Sequence, residues 1–284
     1  MRIIAIALLL FLSQTAQTQH LFNFYEDWFG LDNYFNQAFV KANQIESIHI
    51  RIEDKKDGQK FKNKGAFLHY EFNAEGQLDQ SMKSLVFTNR IDTSLQNLKY
   101  NAKGLIYKKE EIHGPFHFSY YFNYENQKPI SELKIDASKA KLDTLYYRTF
   151  TYDSSQYEQH ISILNDIGIS FKSIQKTYTN DFKLQRQKTK YTRGHGAISF
   201  DYNYSDEKLT TIKQLSYFTK QEEQLTKFFY KANQLDEVLY FDNGKLKRKL
   251  GFLYKSNGLI DAIVERNLDE KSVRIYYFMY RLIH

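Results

Sequence analysis

An aromatic motif recurs from residue 70 to the C-terminus at a nearly constant step, and that step limits the possible folds more than any other feature. It reads aromatic, any residue, aromatic, then Asn, Asp or Lys, two further residues, Gly or a small polar residue, and Leu or Ile. The clearest copies are Tyr70-x-Phe72-Asn73-x-x-Gly76-x-Leu78, Leu98-x-Tyr100-Asn101-x-x-Gly104-Leu105 and Phe252-x-Tyr254-x-x-Asn257-Gly258-Leu259. The second aromatics fall at Phe72, Tyr100, Tyr124, Tyr152, Tyr178, Tyr204, Tyr230, Tyr254 and Tyr280, with gaps of 28, 24, 28, 26, 26, 26, 24 and 26. A fixed period in the range of about 20 to 50 residues marks a repeat architecture, in which each unit packs on its neighbours.

The residues inside each period alternate with a step of two. Phe116, Phe118, Tyr120, Phe122 and Tyr124 alternate with His117, Ser119, Tyr121, Asn123 and Glu125. On a strand, successive side chains point to opposite faces, so five aromatics share one face. Ile198, Phe200, Tyr202 and Tyr204 repeat the pattern, and Tyr, Phe and Ile suit a pleated, half-buried surface. Turn signals separate these runs, among them Lys56-Asp57-Gly58, Asn73 to Gly76, Asn101 to Gly104, Gly114-Pro115, Asp242-Asn243-Gly244 and Ser256 to Gly258. Asn and Asp bond their own backbone and tolerate left-handed conformations, and Gly adopts them without penalty. Breaks lie mostly 11–15 residues apart, so each period holds two strands joined by tight turns. Tight turns join only antiparallel neighbours. The expected fold is all-β: a long antiparallel up-and-down meander of about 16–18 strands built from hairpin repeats, with a short N-terminal helix. Because every gap is even, the marker aromatics are expected on a common face.

The N-terminus reads differently. Arg2, an apolar run from Ile3 to Leu12 and the small polar residues Ser13 to Gln19 have the pattern of a secretory signal peptide, too short to span a bilayer. From residue 20 to 44 the period changes: Tyr25, Trp28, Phe29, Leu31, Tyr34, Phe35, Ala38, Phe39 and Ala42 recur at three- and four-residue steps, as on one face of a helix. Asp32 is placed to cap it. The expected organisation is therefore a signal peptide over 1–19, a helical segment over 20–44 and one β-repeat domain over 45–284. The chain has no cysteine, which excludes disulfides, thiolate metal sites, thiol catalysis and a lipoprotein anchor. Export without disulfides fits the bacterial periplasm or cell surface. A formal net charge of +7 is a modest basic excess that keeps the chain soluble and favours anionic surfaces.

The motif resembles the YD repeat of the Rhs family of secreted and cell-surface proteins, Tyr-x-Tyr-Asp-x-x-Gly-Arg-Leu. Phe150-x-Tyr152-Asp153 contains the Tyr-Asp pair, and Tyr70 to Leu78 follows the order of groups with Asn73 for Asp and Gln77 for Arg. The arginine is absent from every copy, and the glycine is lost near 127, 156 and 207. Tyr240-Phe241-Asp242-Asn243-Gly244-Lys245-Leu246-Lys247 is similar to the MORN-type repeats of YwqK-like bacterial proteins. These resemblances imply secreted β-repeat sheets or shells with a structural or binding role. Neither repeat carries a catalytic residue, so no site is transferred.

Histidine, carboxylate and basic positions are the remaining sources of chemistry. His113 and His117 flank Gly114-Pro115-Phe116, and His49 and His69 are placed to face each other across a hairpin. Two histidines make an incomplete zinc site, since a catalytic one needs three ligands and a water position, so no metal or cofactor is expected. Asp153, Asp181, Asp206 and Asp242 sit in turns, where backbone bonding accounts for them. A glycosidase would need two carboxylates about 5–10 Å apart, and no residue is assigned as catalytic. Arg186, Lys188 and Lys190 project from one face of a strand as a candidate anion-binding row, or as charges that discourage edge association.

These features favour an exported, non-enzymatic β-repeat protein of the envelope, a scaffold or binding module. Its partner would be an anionic envelope glycan or another envelope protein, with no role for nucleic acid. The alternatives are an integral outer-membrane β-barrel and a polysaccharide-active enzyme or glycan-binding protein. A membrane barrel needs an outward face that stays apolar. Here Leu105, Tyr107, Lys109 and Glu111 on one face and Ile106, Lys108, Glu110 and Ile112 on the other both carry charge.

Overall fold

The computed structural model describes residues 21–22, 35–86, 91–138, 143–153, 155, 157–192, 196–218 and 221–283. The signal-peptide reading, most of the 20–44 helical segment and the Asp32 cap lie outside these residues. One helix is present among them, α1 (Gln37–Ala42), capped by Asn36, whose side chain accepts the Phe39 N–H at 3.1 Å.

Eighteen strands follow. They are β1 (Ile45–Lys56), β2 (Lys62–Phe72), β3 (Leu78–Val86), β4 (Ile91–Tyr100), β5 (Ile106–His113) and β6 (Phe116–Glu125). Next come β7 (Lys128–Asp136), β8 (Asp143–Tyr152), β9 (Glu158–Asn165), β10 (Ser170–Tyr178), β11 (Leu184–Tyr191) and β12 (Ala197–Ser205). The last are β13 (Lys208–Tyr217), β14 (Gln221–Lys231), β15 (Gln234–Asp242), β16 (Lys245–Tyr254), β17 (Ile260–Asn267) and β18 (Ser272–Leu282). Each strand pairs antiparallel with the next, and β1 also pairs with β18 from Ile45↔Leu282 to Lys56↔Ser272. The expectation of an open meander is thus corrected: the sheet is a closed 18-stranded barrel. Alternation and turn spacing are the same in a meander and a barrel. Only the long-range pairing of the first and last strands distinguishes them, and it removes the two edges an open sheet would expose.

The 26-residue period has a structural cause. The nine marker aromatics sit at or near the ends of the even-numbered strands, all at one end of the barrel, here called the floor. Phe72 lies in the buried core, and Tyr100, Tyr178, Tyr204, Tyr230, Tyr254 and Tyr280 pack against it. At seven of these hairpins the register shifts by one residue just after the turn, as at Leu253/Tyr254 and Phe229/Tyr230. Such bulges disrupt the ladder locally, and a tyrosine of the following repeat uses the carbonyl opposite the previous marker. Tyr100 donates to the Leu78 carbonyl (2.7 Å), Tyr124 to Ile106 (2.8 Å) and Tyr152 to Pro129 (2.9 Å). Tyr204 donates to Leu184 (2.9 Å), Tyr230 to Leu209 (2.9 Å) and Tyr254 to Leu235 (2.7 Å). At these six places a repeat is thereby pinned to the one before it around the floor.

The turns explain the glycines that the motif keeps and loses. In Asn73 to Gly76 the Asn73 side chain accepts the N–H groups of Glu75 and Gln77 (3.0 Å each), and Gly76 turns the chain at φ +76°. Where the glycine is lost near 127 and 207, the turn shortens to two residues. Asn126-Gln127 and Asp206-Glu207 both take positive φ at each position, the two-residue hairpin geometry matched to strand twist.

Near β1, β2 and β18 the floor is filled. Val40, Ile48, Val238 and Ile263 are fully buried, and Phe35 packs edge-on against Tyr70 (4.7 Å between ring centroids) and Phe72 (5.0 Å). Helix α1 closes this side, and the β2–β3 turn lies tight beneath it.

Candidate functional site

Above the floor the lumen opens into a cavity of about 930 Å³, lined by inward residues of β4 to β15. Its position follows from the period. Counting back by twos from a marker tyrosine stays on the inward face, so Tyr230 leads to Phe228, Thr226 and Gln224, and Tyr204 to Tyr202 and Phe200. The five residues of this series other than the two markers all line the cavity.

One lateral row crosses this wall. The register runs Gln159↔Lys176, Lys176↔Gln187, Gln187↔Phe200, Phe200↔Gln214 and Gln214↔Gln224. Gln159 is held on both sides, donating to the Tyr152 hydroxyl at 3.0 Å and accepting from Tyr178 at 3.4 Å. Gln214 donates to Ser216 Oγ at 3.3 Å.

The adjoining wall, β5 to β8, is charged. Tyr120 donates to Glu111 Oε2 at 2.5 Å, and Lys109 lies 3.1 Å from Glu111 Oε1. Tyr146 donates to Glu132 Oε1 at 3.2 Å, and Arg148 Nη1 donates to Glu132 Oε2 at 3.1 Å. Glu132 is 4% exposed. The Lys134 ammonium sits 4.3 Å from the Phe118 ring centroid, 4.9 Å from that of Tyr120 and 5.6 Å from that of Tyr146. Burial pushes the Lys134 pKa below its usual value, with Glu111 opposing the shift. Burial pushes the Tyr120 and Tyr146 phenols up, which keeps both as donors. Two carboxylates therefore share this wall, each engaged by a phenol and a cation. That is the arrangement by which a buried charge is compensated.

The sequence-predicted positions are distributed over both faces. His49 and His69 are register partners on the outer face, with ring centroids 5.7 Å apart. His113 points inward with Nδ1 2.5 Å from Ser94 Oγ, while His117 points outward, so that pair is not brought together. Among the described residues no group of three metal-ligating side chains occurs. Arg186, Lys188 and Lys190 lie on the outer wall of β11 as read from alternation. Arg186 bonds Asp201 (2.6 Å), whereas Lys188 and Lys190 are exposed beside Gln175, Ser173 and Ser199. The lumenal glutamines and the Glu111–Glu132 wall were missed. Counting by twos from the markers reaches Gln224 directly, but the odd strands change phase at each bulge.

The outer wall carries charge at mid-strand. Lys213–Glu223 (2.8 Å) and Glu237–Lys249 pair across neighbouring strands, and Lys108–Glu110 (2.7 Å) pair along β5. Arg51 on β1 stacks over Tyr277 of β18, 4.9 Å from the ring centroid. No described helix is long and apolar enough to cross a membrane, which has no bearing on strands.

No family model and no curated protein matches the chain. Among solved structures it is similar to a porin-like protein from Bacteroides uniformis ATCC 8492, with 10% identity and a TM-score of 0.42 over 84% of this chain and 97% of that one. A porin-like protein from Bacteroides vulgatus ATCC 8482 has 9% identity and a TM-score of 0.37 over 82% of this chain and 98% of that one. TcdB2-TccC3 has 10% identity and a TM-score of 0.33 over 81% of this chain and 14% of that one. Likenesses this distant carry no argument about function.

Proposed function

We propose that this is an exported β-barrel of the bacterial envelope that holds a small ligand in its lumen, acting as a binding module. The observation that carries this reading is the contrast between its two faces. The lumen presents a cavity of about 930 Å³ lined by rings and amides, within the size range of ligand sites, about 300–1,000 Å³. The outer wall presents Arg51, Lys188, Lys213, Glu237 and Lys249 at mid-strand, where a lipid-facing Lys or Arg costs about 2–4 kcal/mol at the bilayer midplane. Closure withdraws the broad open surface on which a scaffold role would depend. The YD-repeat likeness supports a shared hairpin chemistry.

A second reading, an integral outer-membrane barrel, is favoured by the closure itself and by the even number of antiparallel strands, both features of such barrels. Expression of the full chain in a Gram-negative host, followed by carbonate washing of the membranes, separates the two. The binding-module reading expects the protein in the soluble periplasmic extract. Retention in the washed outer-membrane pellet would replace it with the second.

A further inference from the structure

We propose that the lumen binds a neutral oligosaccharide along the amide row of β9 to β14. This names the ligand class for the lumenal site and rests on that reading. The row Gln159, Lys176, Gln187, Phe200, Gln214 and Gln224 occupies one register across six adjacent strands. Strands lie about 4.8 Å apart, so the row extends roughly 24 Å around the wall. An elongated ligand can lie along it and meet a new side chain at each strand.

Amides suit hydroxyl groups for a specific reason. Each presents one acceptor oxygen and two donor hydrogens, matching hydroxyls that both donate and accept. Gln187 and Gln224 make no side-chain hydrogen bond among the described residues, although both line the cavity. Gln214 uses one donor on Ser216, leaving its other donor and its oxygen for a ligand. Phe200 lies within the row, and Tyr202, Phe228 and Tyr240 line the same cavity, supplying apolar surfaces for the C–H faces of sugar rings.

Charge and polarity narrow the class further. Of the lumenal cations, Arg148 and Lys109 are engaged by Glu132 and Glu111, Lys134 is held over the rings of Phe118, Tyr120 and Tyr146, and Lys176 stands in the row itself. The carboxylates of Glu111 and Glu132 oppose an acidic sugar. An acyl chain would cover the amides without satisfying them, at the cost of burying unpaired polar groups.

The test is isothermal titration of the full chain with maltohexaose, cellohexaose, chitohexaose and palmitate, repeated on Q187A/Q224A and on the outer-wall control K188A/K190A. Thermal melts confirm that both variants remain folded. The expected result is binding of one hexaose, weakened about tenfold in Q187A/Q224A through loss of two hydrogen-bonding groups and unchanged in the control. Equal binding by Q187A/Q224A would overturn the amide-row site. Binding of palmitate alone, weakened by F228A, would overturn the saccharide class and leave the lumenal reading intact. Binding of none of the four would overturn both.

Discussion

The inner surface has two halves built on the same strand pattern with opposite contents. From β15 through β18 to β2, inward positions are Val238, Leu250, Ile263, Phe278, Ile48 and Leu68, all at most 5% exposed. From β5 to β8 the corresponding positions are Lys109, Glu111, Tyr120, Glu132, Lys134 and Arg148. The hydrophobic effect holds the first half, at about 25 cal/mol per Å² of buried apolar area. Hydrogen bonds and ion pairs hold the second, where the net gain is small and the penalty for a missing partner is large. The difference teaches that the alternation builds the barrel, while the identity of the inward residues decides whether it is filled or hollow.

The largest expected effect breaks the filled half. Ile263→Ala should cost about 2–5 kcal/mol, as buried Ile to Ala changes do, whereas Thr226→Ala on the cavity wall should stay within about 0.5 kcal/mol. Urea unfolding monitored by circular dichroism measures both, and equal losses would erase the distinction.

Gly76→Ala tests the closure beneath α1. A Cβ there would lie 2.5 Å from the Gln37 carbonyl oxygen and 2.8 Å from the Lys41 nitrogen, at φ +76°. The expected loss is about 2–5 kcal/mol from the left-handed backbone and the overlap together. Gly114→Ala at the opposite end, φ +56° with open space around it, should lose only the backbone part, about 1–2 kcal/mol. Paired thermal melts check the ordering.

On the charged wall, Arg148→Met removes the guanidinium from nearly buried Glu132 and should cost about 1–3 kcal/mol. Adding Glu132→Gln should recover part of that loss, because no charge is then left unpaired. A double-mutant cycle reads the coupling, and simple additivity would show that the two side chains act independently.

The smallest expected effect sharpens the account of the repeat. Tyr230→Phe deletes the bond to the Leu209 carbonyl and should cost about 0.5–1.5 kcal/mol. The same change at Tyr107, an exposed tyrosine, should be nearly silent. Chemical denaturation of the two variants side by side measures the contrast.

Much of the local structure was legible in particular residues. Tyr204 and Tyr230 mark strand ends, Asn73 and Asn101 mark turns, and the even spacing of the markers fixed which residues of the even strands share their face. The sequence placed Arg186, Lys188 and Lys190 on one face of a strand; that this face is the outer one depends on the register shift at Thr177/Tyr178. The Glu111–Glu132 wall was not legible. Lys108 to Glu111 reads as four consecutive charges, and the register shift between Lys99 and Tyr100 decides that Lys109 and Glu111, rather than Lys108 and Glu110, face the lumen. His113 and His117 look like a pair in the sequence, yet the turn between them places them on opposite faces.

By itself the sequence determined the strands, the turns and the repeat, because these depend on contacts among residues close along the chain. Tertiary structure alone decided closure, since the pairing of Ile45 with Leu282 joins residues at opposite ends of the domain and leaves no periodic trace. It also decided which half of the lumen is filled. That outcome depends on α1 and the inward side chains of distant strands competing for one interior, a volume that no local pattern encodes.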